Sequence, residues 1–453
     1  MSFRSSVAGI GWPAISPAPG ATLLALLFQF EQSQWWPAER LRARQYAQLG
    51  QLFEYLWPRS PFHRARLEGA GWRPGIAIDD DLWQALPRLD RATLQRERAT
   101  LAAHPSPPQH GRLMEFATTG SLGMPVQGVG NELTHLFNSA LVVRNHLWQQ
   151  RRFACKFAAI RTKSGSGHFP NWGVEAAAFE TGPLAVLDIA TEIDRQLDWL
   201  AAEAPDYLLT HPSNLRALLL RARQRGLSVP SLRELSIFGE MPPRDLRKLA
   251  DEIWSLPLVD SYSCEEFGTI ALQCPKHPDH LHVQAENLLL EILDQSGAPC
   301  APGQTGRVVL TTLHNFSMPL IRYEIGDYAT AGPPCPCGRG LPVLTGIAGR
   351  RRNMLSGRDG RRHWPSFPYE ALREISDFSQ LQLVQHSLDE LEVRLAGVAP
   401  LPSDREAAFA ERLCDLLHHP FDVRFSYADT LSPAGGGKFE DYLNLVDSPP
   451  ADR

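Results

Sequence analysis

The sequence predicts a mixed α/β protein with layered α/β subdomains, a smaller barrel-like β subdomain and a small α+β C-terminal domain. Between about residues 113 and 262, short apolar runs alternate with amphipathic segments, as in parallel strands joined by helices. Between 281 and 345, strands are joined by Gly/Pro-rich turns, which is typical of an antiparallel unit. From about 350, roughly 100 residues remain, a common size for a small domain. We therefore expect two domains, 1–349 and 350–453.

Composition narrows the class of protein. The 453 residues carry a net charge of −5 and are 43% hydrophobic, as in a globular protein that works in water. This charge predicts no nucleic-acid partner, and the absence of a run of about 18 apolar residues predicts no membrane span. The apolar run at 21–28 lacks the features of a signal peptide. Seven cysteines, an odd number, indicate a reducing cytoplasm and a metal site rather than a disulfide framework.

Local patterns place the individual elements. Pro37 begins a helix that Pro58 and Pro61 interrupt, and Asp90 is the expected N-cap of a helix over 91–98. Strands are expected at 113–117, 126–129, 153–160, 207–210, 235–238, 258–262, 288–293, 306–312, 380–386, 390–395 and 421–427. Helices are expected at 131–150, 191–203, 213–226 with Ser213 as its cap, 242–254 and 403–418.

A loop of hydroxyl residues and glycines, Thr118-Thr119-Gly120-Ser121-Leu122-Gly123, separates the first two strands. Glycines let the backbone approach an anion, and amide and hydroxyl groups donate hydrogen bonds to phosphate oxygens. The loop lacks the Gly-Lys-Ser/Thr end of a Walker motif. It predicts either a phosphate-binding loop or a tight hairpin turn.

Two acidic motifs follow strands. In Tyr262–Gly268, the adjacent carboxylates of Glu265 and Glu266 would suit Mg²⁺, although an acidic first turn of a helix is the alternative. In Arg322-Tyr323-Glu324-Ile325-Gly326-Asp327, expected at a strand end, a carboxylate beside glycine would accept both hydroxyls of a ribose. A structural turn is the competing interpretation.

Basic residues occur in two glycine-containing segments. Lys438 follows three glycines, Gly435–Gly437, and its compact ammonium suits phosphate or carboxylate oxygens. Arg350 follows Gly349 and begins a run of arginines. Each segment would be either part of a nucleotide site or a solvated loop. In order along the chain, these motifs indicate an enzyme that activates a carboxylic acid with ATP.

The cysteines suggest a separate metal site. Cys335 and Cys337 lie about sixty residues after Cys274, which is followed by three histidines. Four Cys/His ligands from two loops would suit tetrahedral, structural Zn²⁺. The favoured set is Cys274, His282, Cys335 and Cys337, with His277 or His280 as substitutes for His282. Reduced, unpaired cysteines are the alternative.

The assembled motifs resemble the adenylate-forming superfamily, and more closely the phenylacetate–CoA ligase family with its relatives associated with capsule biosynthesis. The resemblance runs from Pro61-Phe62-His63-Arg64 to Lys438. It is most specific over Leu313–Asp327, followed by Cys335-Pro336-Cys337-Gly338-Arg339 and Gly349-Arg350. It implies a large N-terminal domain and a small C-terminal domain that rotates between two half-reactions.

The resemblance also implies roles for individual residues. The ATP phosphates would be wrapped by the loop residues Thr118, Thr119, Gly120, Ser121 and Gly123. The rest of the nucleotide would be contacted by Gly239, Glu240, Tyr262, Asp327 and Arg350, with Asp327 on the ribose. Glu266 would hold Mg²⁺, and Lys438 would reach the carboxylate and the α-phosphate. Departures from the family are the Ser-Leu-Gly-Met-Pro end of the phosphate loop, Asn353 at the usual hinge aspartate, and Ser263-Cys264.

The expected function is therefore activation of an aryl or acyl acid to an acyl-adenylate, then transfer to coenzyme A. The acceptor would alternatively be the phosphopantetheine of a carrier protein or another group in polysaccharide or secondary-metabolite biosynthesis. A non-catalytic nucleotide-binding protein is the third interpretation. Phe137, Phe238 and Ser236 would line an apolar acid pocket, or else belong to the core. A homodimer is left open.

Overall fold

The computed structural model describes residues 2–10, 12–102, 105–117, 126–162, 165–243, 245–350, 354–358, 362–363, 370–378, 380–431 and 441–446. Its helices are α1 Ala18–Ser33, α2 Ala38–Leu56, α3 Pro61–Gly69, α4 Asp80–Ala85, α5 Arg91–Arg96, α6 Arg98–Leu101, α7 Glu132–Trp148, α8 Ile193–Glu203, α9 Pro212–Arg225, α10 Leu246–Trp254, α11 Glu370–Arg373 and α12 Ser403–Leu417.

Its strands are β1 Leu113–Ala117, β2 Gln127–Asn131, β3 Phe157–Arg161, β4 Gly167–Phe169, β5 Leu184–Asp188, β6 Tyr207–Thr210, β7 Glu234–Phe238, β8 Leu258–Cys264, β9 Gly268–Gln273, β10 Leu281–Val283, β11 Leu288–Leu293, β12 Thr305–Thr312, β13 Tyr323–Ala331, β14 Val343–Arg350, β15 Leu355–Ser356, β16 Arg362–His363, β17 Gln380–Gln385, β18 Glu390–Ala396, β19 Asp422–Ala428 and β20 Tyr442–Asn444.

Two of the N-terminal helices begin at side-chain caps, and one of these caps was predicted. The side chain of Ser60 accepts a hydrogen bond from the backbone N–H of His63 and so caps α3, whose first residue is Pro61. Asp90, the predicted cap, begins α5 by accepting from the N–H of Thr93 at 2.7 Å. Helices α2, α3 and α4 bury aromatic and leucine side chains against β11 and the segment before β13. The N-terminal region is therefore docked on the sheet that carries the site.

One sheet of twelve described strands joins the two subdomains that the sequence predicts. Its order is β11-β12-β13-β14-β10-β9-β8-β7-β6-β3-β5-β4. β5, β3, β6, β7 and β8 are parallel, and the strands from β8 to β11 are antiparallel to their neighbours. The antiparallel unit is thus continuous with the parallel one across the β8–β9 hairpin.

The parallel half has helices α8, α9 and α10 packed on it through leucines and alanines. The N-cap of α9 lies two residues earlier than predicted, because Pro212 occupies the first helical position and His211, not Ser213, stands at the N-cap. Gly226 ends the same helix in the left-handed conformation at φ 60°. β5, β6 and β7 are each followed by one of these helices, so their connections to α8, α9 and α10 leave from the carboxyl edge of the sheet.

The C-terminal unit is a four-stranded sheet with the order β19-β18-β17-β20. Helix α12 covers it with Phe409, Leu413 and Leu417, which are almost completely buried. This agrees with the predicted α+β pattern for the last 100 residues. None of the helices in the described part of the chain combines the length and apolarity that crossing a bilayer requires.

Candidate active site

The carboxyl ends of β7 and β8 place two of the predicted residues side by side. Phe238 and Ser261 are partners in the parallel ladder, so Gly239 and Tyr262 follow at adjacent positions. Gly239 has φ 79°, a conformation that favours glycine and turns the chain sharply out of the strand. The carboxyl edge of parallel strands is where open α/β sheets bind ligands.

Asp327 comes to the same place from the antiparallel half of the sheet. The hydroxyl of Tyr262 donates a hydrogen bond to Oδ2 of Asp327 at 2.7 Å. Asp327 is paired with Arg350 across β13 and β14. The prediction that the motif ends a strand is wrong, because β13 begins at Tyr323 and Asp327 lies in its middle. Asp327 is thereby held in a strand that pairs with β14, rather than in a turn.

The β8–β9 connection carries the two adjacent glutamates. Glu265 and Glu266 lie in a turn between two antiparallel strands, so the alternative of a helix N-terminus is wrong. The turn is attached to α7, because Oδ1 of Asn138 accepts from the backbone N–H of Thr269 at 3.0 Å and from its hydroxyl at 3.1 Å. This attachment fixes where the two carboxylates stand.

A cavity of about 300 Å³ opens beside this turn. Its lining includes Glu266, residues 114–116 of β1, and the first turn of α7. Ala117 and Gln127 form the last pair of the β1–β2 hairpin, so the predicted phosphate loop lies in sequence between the ends of these two strands. Residues 114–116, which lead toward that loop, and Glu266 therefore line one cavity.

Gly268 is where this turn comes closest to α7, and its substitution tests the attachment. At φ 66°, a Cβ on Gly268 would lie 2.5 Å from Oδ1 of Asn138. We expect Gly268→Ala to lower the free energy of unfolding by about 2 kcal/mol or more, because left-handed strain and the clash add. The control is Gly226→Ala, since Gly226 has φ 60° and open space around it. Urea unfolding that gives equal losses for the two variants would contradict this account.

Glu240 has a partner on the neighbouring helix. Its Oε2 accepts a hydrogen bond from the backbone N–H of Ser213, in the first turn of α9, at 3.0 Å. The ring of His211 stacks on Phe238 with centroids 4.6 Å apart. Gly239 and Glu240 are thus held between the ends of β6 and β7, beside Tyr262.

Comparison with known proteins gives similar sequences and a similar solved structure. No protein-family model matches the chain. It is 27% identical to a phenylacetate-coenzyme A ligase of Thermus thermophilus over 330 residues, which cover 70% of this chain and 72% of the relative. It is 24% identical to a phenylacetate-coenzyme A ligase of Escherichia coli over 355 residues, which cover 76% and 78%.

A solved 2-hydroxyisobutyryl-CoA ligase, in its postadenylation state with R3-HIB-AMP, superposes with a TM-score of 0.72 over 91% of both chains at 19% identity. The chain is similar in sequence to phenylacetate–coenzyme A ligases. It has the adenylate-forming fold that the sequence motifs predict.

Several predicted residues of this adenylate-forming fold lie outside the described residues. These are the phosphate-loop residues Thr118, Thr119, Gly120, Ser121 and Gly123, the hinge residue Asn353 and Lys438. The backbone of Arg350 is described as the end of β14, and its side chain is not. Their roles remain predictions from the sequence.

The three residues expected in the acid pocket do not line the cavity beside Glu266. Ser236 is buried and accepts a hydrogen bond from Arg151 at 2.8 Å while donating to Glu234 at 3.0 Å. The ring of Phe137 stacks on His314 with centroids 3.8 Å apart, next to the cavity wall that His314 forms. Phe137 therefore packs against His314, which lines the cavity, whereas Ser236 belongs to a buried polar network.

Sequence reasoning missed the polar lining of this cavity. Asn131, Asn138, His314 and Asn315 contribute side chains to it, and none of them stood out by type or spacing. Burial lowers the pKa of His314 to about 4, so its ring is neutral near pH 7. The one indication in the sequence was that His314 lies within Leu313–Asp327, the most specific part of the resemblance.

The four predicted zinc ligands form a second, separate cluster. Cys274, His282, Cys335 and Cys337 present one ligand atom each, all within 4.8 Å of one another. His277 and His280, the predicted substitutes, are not in this group. This cluster is buried, whereas the cavity beside Glu266 is open to solvent.

Proposed function

We propose that the chain activates a carboxylic acid with ATP and transfers the acyl group to a thiol, as an AMP-forming acid–CoA ligase does. One observation carries the proposal. Tyr262 of β8, Asp327 of β13 and the β8–β9 turn that holds Glu266 come together at the carboxyl edge of the parallel sheet. The likeness to phenylacetate–coenzyme A ligases supports the same reaction class.

Different residues would contact the ribose, the adenine and the phosphates of ATP. Asp327 would accept the ribose hydroxyls, with Tyr262 holding its carboxylate in place through the 2.7 Å hydrogen bond. Gly239 and Glu240 would lie beside the adenine, and Arg350 would also contact the nucleotide. The phosphate loop, rooted at Ala117 and Gln127, would enclose the triphosphate next to Glu266.

Glu266 would hold Mg²⁺, a hard cation that prefers oxygen ligands. The site fits this ion, because Glu265 and Glu266 stand on the rim of a solvent-accessible cavity next to the root of the phosphate loop. Bound there, the ion would neutralise charge on phosphate oxygens. The same turn is fixed by Asn138, so the carboxylate is positioned before the nucleotide binds.

The chemistry has two steps. A carboxylate oxygen of the acid attacks the α-phosphorus of ATP, a P–O bond forms to give the acyl-adenylate, and the bond to pyrophosphate breaks. A thiol sulfur then attacks the acyl carbon, and AMP leaves with the bridging oxygen. Lys438 would stabilise charge on the carboxylate and the α-phosphate in the first step. No side chain acts as a nucleophile.

Coenzyme A is the proposed acceptor, and the phosphopantetheine of a carrier protein is the alternative. The same proposal includes a domain division at 349/350. It also includes movement of the small C-terminal domain between the two steps. The cytoplasm is its expected location, since the seven cysteines are unpaired in the structure. A homodimer is neither required nor used by this chemistry.

The test is ATP–pyrophosphate exchange with a panel of aryl, fatty, hydroxy and amino acids. We expect exchange above background with one class of acid, and product formation that then depends on an added thiol. Exchange at background with every acid would favour the non-catalytic alternative. Exchange followed by loading of a carrier protein, but not of coenzyme A, would change the acceptor and leave the adenylation proposal intact.

Asp327 offers a sharper prediction for the ribose contact. We expect Asp327→Ala to raise the KM for ATP by about 10- to 100-fold, because a hydrogen bond to a charged group is worth about 1.5–3 kcal/mol. Glu324→Ala is the matched control, since Glu324 lies in the same strand and pairs with Arg88 at 2.7 Å instead. Equal effects of the two substitutions on the KM for ATP would contradict the assigned contact.

A further inference from the structure

The cluster of three cysteines and one histidine lies where three strands meet. Cys274 directly follows β9, and His282 is the middle residue of β10. Cys335 and Cys337 belong to the turn that connects β13 and β14. β10 pairs with both β9 and β14, so the ladder brings these distant ligands into one place.

The distances within the cluster match a tetrahedral ion. The sulfurs of Cys274 and Cys335 are 3.8 Å apart, and Sγ of Cys337 is 3.3 Å from Nε2 of His282. Two thiolates bound at about 2.3 Å to one tetrahedral zinc lie about 3.8 Å apart, and a thiolate and an imidazole nitrogen lie about 3.5 Å apart. Two thiols packed only as hydrophobic groups have no reason to converge with a third thiol and a ring nitrogen.

The surroundings favour a closed, structural site. The four residues are between 0% and 9% exposed, which leaves no open position for water or substrate. Nη1 of Arg339 lies 3.7 Å from Sγ of Cys337. Three thiolates and one Zn²⁺ leave a net negative charge, and the guanidinium of Arg339 offsets it.

The cluster is also remote from the nucleotide site. Val343, at one end of β14, packs against the cysteines, whereas Arg350, at the other end, pairs with Asp327. Seven residues of strand at about 3.3 Å each separate the two ends by roughly 20 Å. An ion in the cluster would therefore not touch the reacting atoms.

The turn that contains Cys335 and Cys337 also contacts the junction between α1 and α2, so a bound ion would affect structure beyond the cluster. Nε of Arg339 donates to Oε1 of Gln34 at 2.9 Å, and the N–H of Gly340 donates to the carbonyl of Gln34 at 2.8 Å. Gln34 also accepts from the indole of Trp148, the last residue of α7. The 335–340 turn thus holds the α1–α2 junction against α7, the helix whose other end lines the cavity.

We infer that Cys274, His282, Cys335 and Cys337 bind one Zn²⁺ that fixes the β13–β14 turn to the β9–β10 hairpin. The site is independent of the proposed reaction, and its ligands lie outside the residues proposed to act on ATP. Binding requires the thiols as thiolates and releases their protons to solvent. The ion remains Zn²⁺ throughout and takes part in no redox step.

Metal analysis of the purified full chain, expressed in zinc-supplemented medium, tests this inference. We expect one zinc per chain in the wild type. Cys335→Ser and His282→Asn should reduce zinc to the background of the buffer. Cys155→Ser and His280→Asn are matched controls that should keep it, because neither residue is in the cluster.

A second readout needs no variant. Cobalt exchanged into the wild-type protein should give the ligand-field bands of tetrahedral Co²⁺ together with sulfur-to-cobalt charge-transfer absorption. A strong chelator added to the native protein should expose three more thiols to a thiol reagent. Wild-type protein without bound zinc, iron in its place, or zinc retained after Cys335→Ser would overturn the inference, whatever the enzyme activity.

Discussion

Replacing Lys438 by alanine is expected to slow ATP–pyrophosphate exchange by about 10²–10³-fold, the usual effect of removing one group that stabilises developing charge in a transition state. The lysine would contact the carboxylate and the α-phosphate only while adenylation proceeds. The KM for ATP should therefore change much less than kcat. Single-turnover measurements of pyrophosphate release give the two quantities separately.

A matched control separates this role from a general loss of charge. Lys248 is exposed and, within the described part of the chain, forms an ion pair with Glu252 four residues along α10, so Lys248→Ala should leave exchange unchanged. Thioester formation from added acyl-adenylate should survive in Lys438→Ala, because that step releases AMP without forming a new bond to phosphorus. Loss of both steps to the same extent would contradict the assignment.

Replacing Arg322 by methionine is expected to lower the free energy of unfolding by about 3–5 kcal/mol, the usual cost of removing one partner from a buried ion pair. Arg322 is 4% exposed, and its guanidinium makes two hydrogen bonds to Glu291, at 2.9 and 3.1 Å. Its Nη1 also donates to three carbonyls, those of Trp83, Gln84 and Leu86. Methionine would leave all of these acceptors buried without their donor.

The loss should depend on pH. Burial raises the pKa of Glu291 even beside Arg322, and removing the cation would raise it further. When the pKa of a carboxyl group is higher in the folded state than in the unfolded state, the folded protein becomes less stable as pH rises through that pKa. Arg322→Met should therefore be less destabilised at mildly acidic pH than at alkaline pH. Arg64→Met, at an exposed pair with Glu68, should change unfolding little at either pH.

Arg322 also shows what the sequence could and could not predict. It belongs to the motif Arg322–Asp327, in which the sequence predicts a ligand contact for the carboxylate beside glycine and indicates no role for Arg322. The structure divides them, because Arg322 is buried against the N-terminal helices whereas Asp327 meets Tyr262. Which face of a strand each side chain occupies depends on where the strand begins, and that boundary was predicted wrongly.

The alternation of strands and helices was predictable because apolar period and start signals are local. The joining of parallel and antiparallel units into one sheet was not, since it depends on pairings such as that of β10 with β14, where Leu281 pairs with Leu344 far along the chain. The same pairing selects His282 over His277 and His280 as the fourth member of the cysteine cluster. Spacing alone left all three histidines open.

The polar cavity beside Glu266 was unpredictable for a related reason. Asn138 and His314 reach it from α7 and from the segment after β12, which approach one another only through the tertiary fold. Asparagines in a helix are usually solvated, so their type gives no signal. The charged residues of the site were easier to identify, because they lie in short motifs of carboxylates and glycines next to predicted strands.

The path of one oxygen atom tests the central claim most directly. An acid that supports exchange is labelled with ¹⁸O in its carboxylate and converted in the presence of ATP and thiol, and the products are analysed by mass spectrometry. Attack of the carboxylate on the α-phosphorus predicts one ¹⁸O in each AMP released and none in pyrophosphate. Label in inorganic phosphate with ADP as the second product, or AMP without label, would contradict adenylation of the acid.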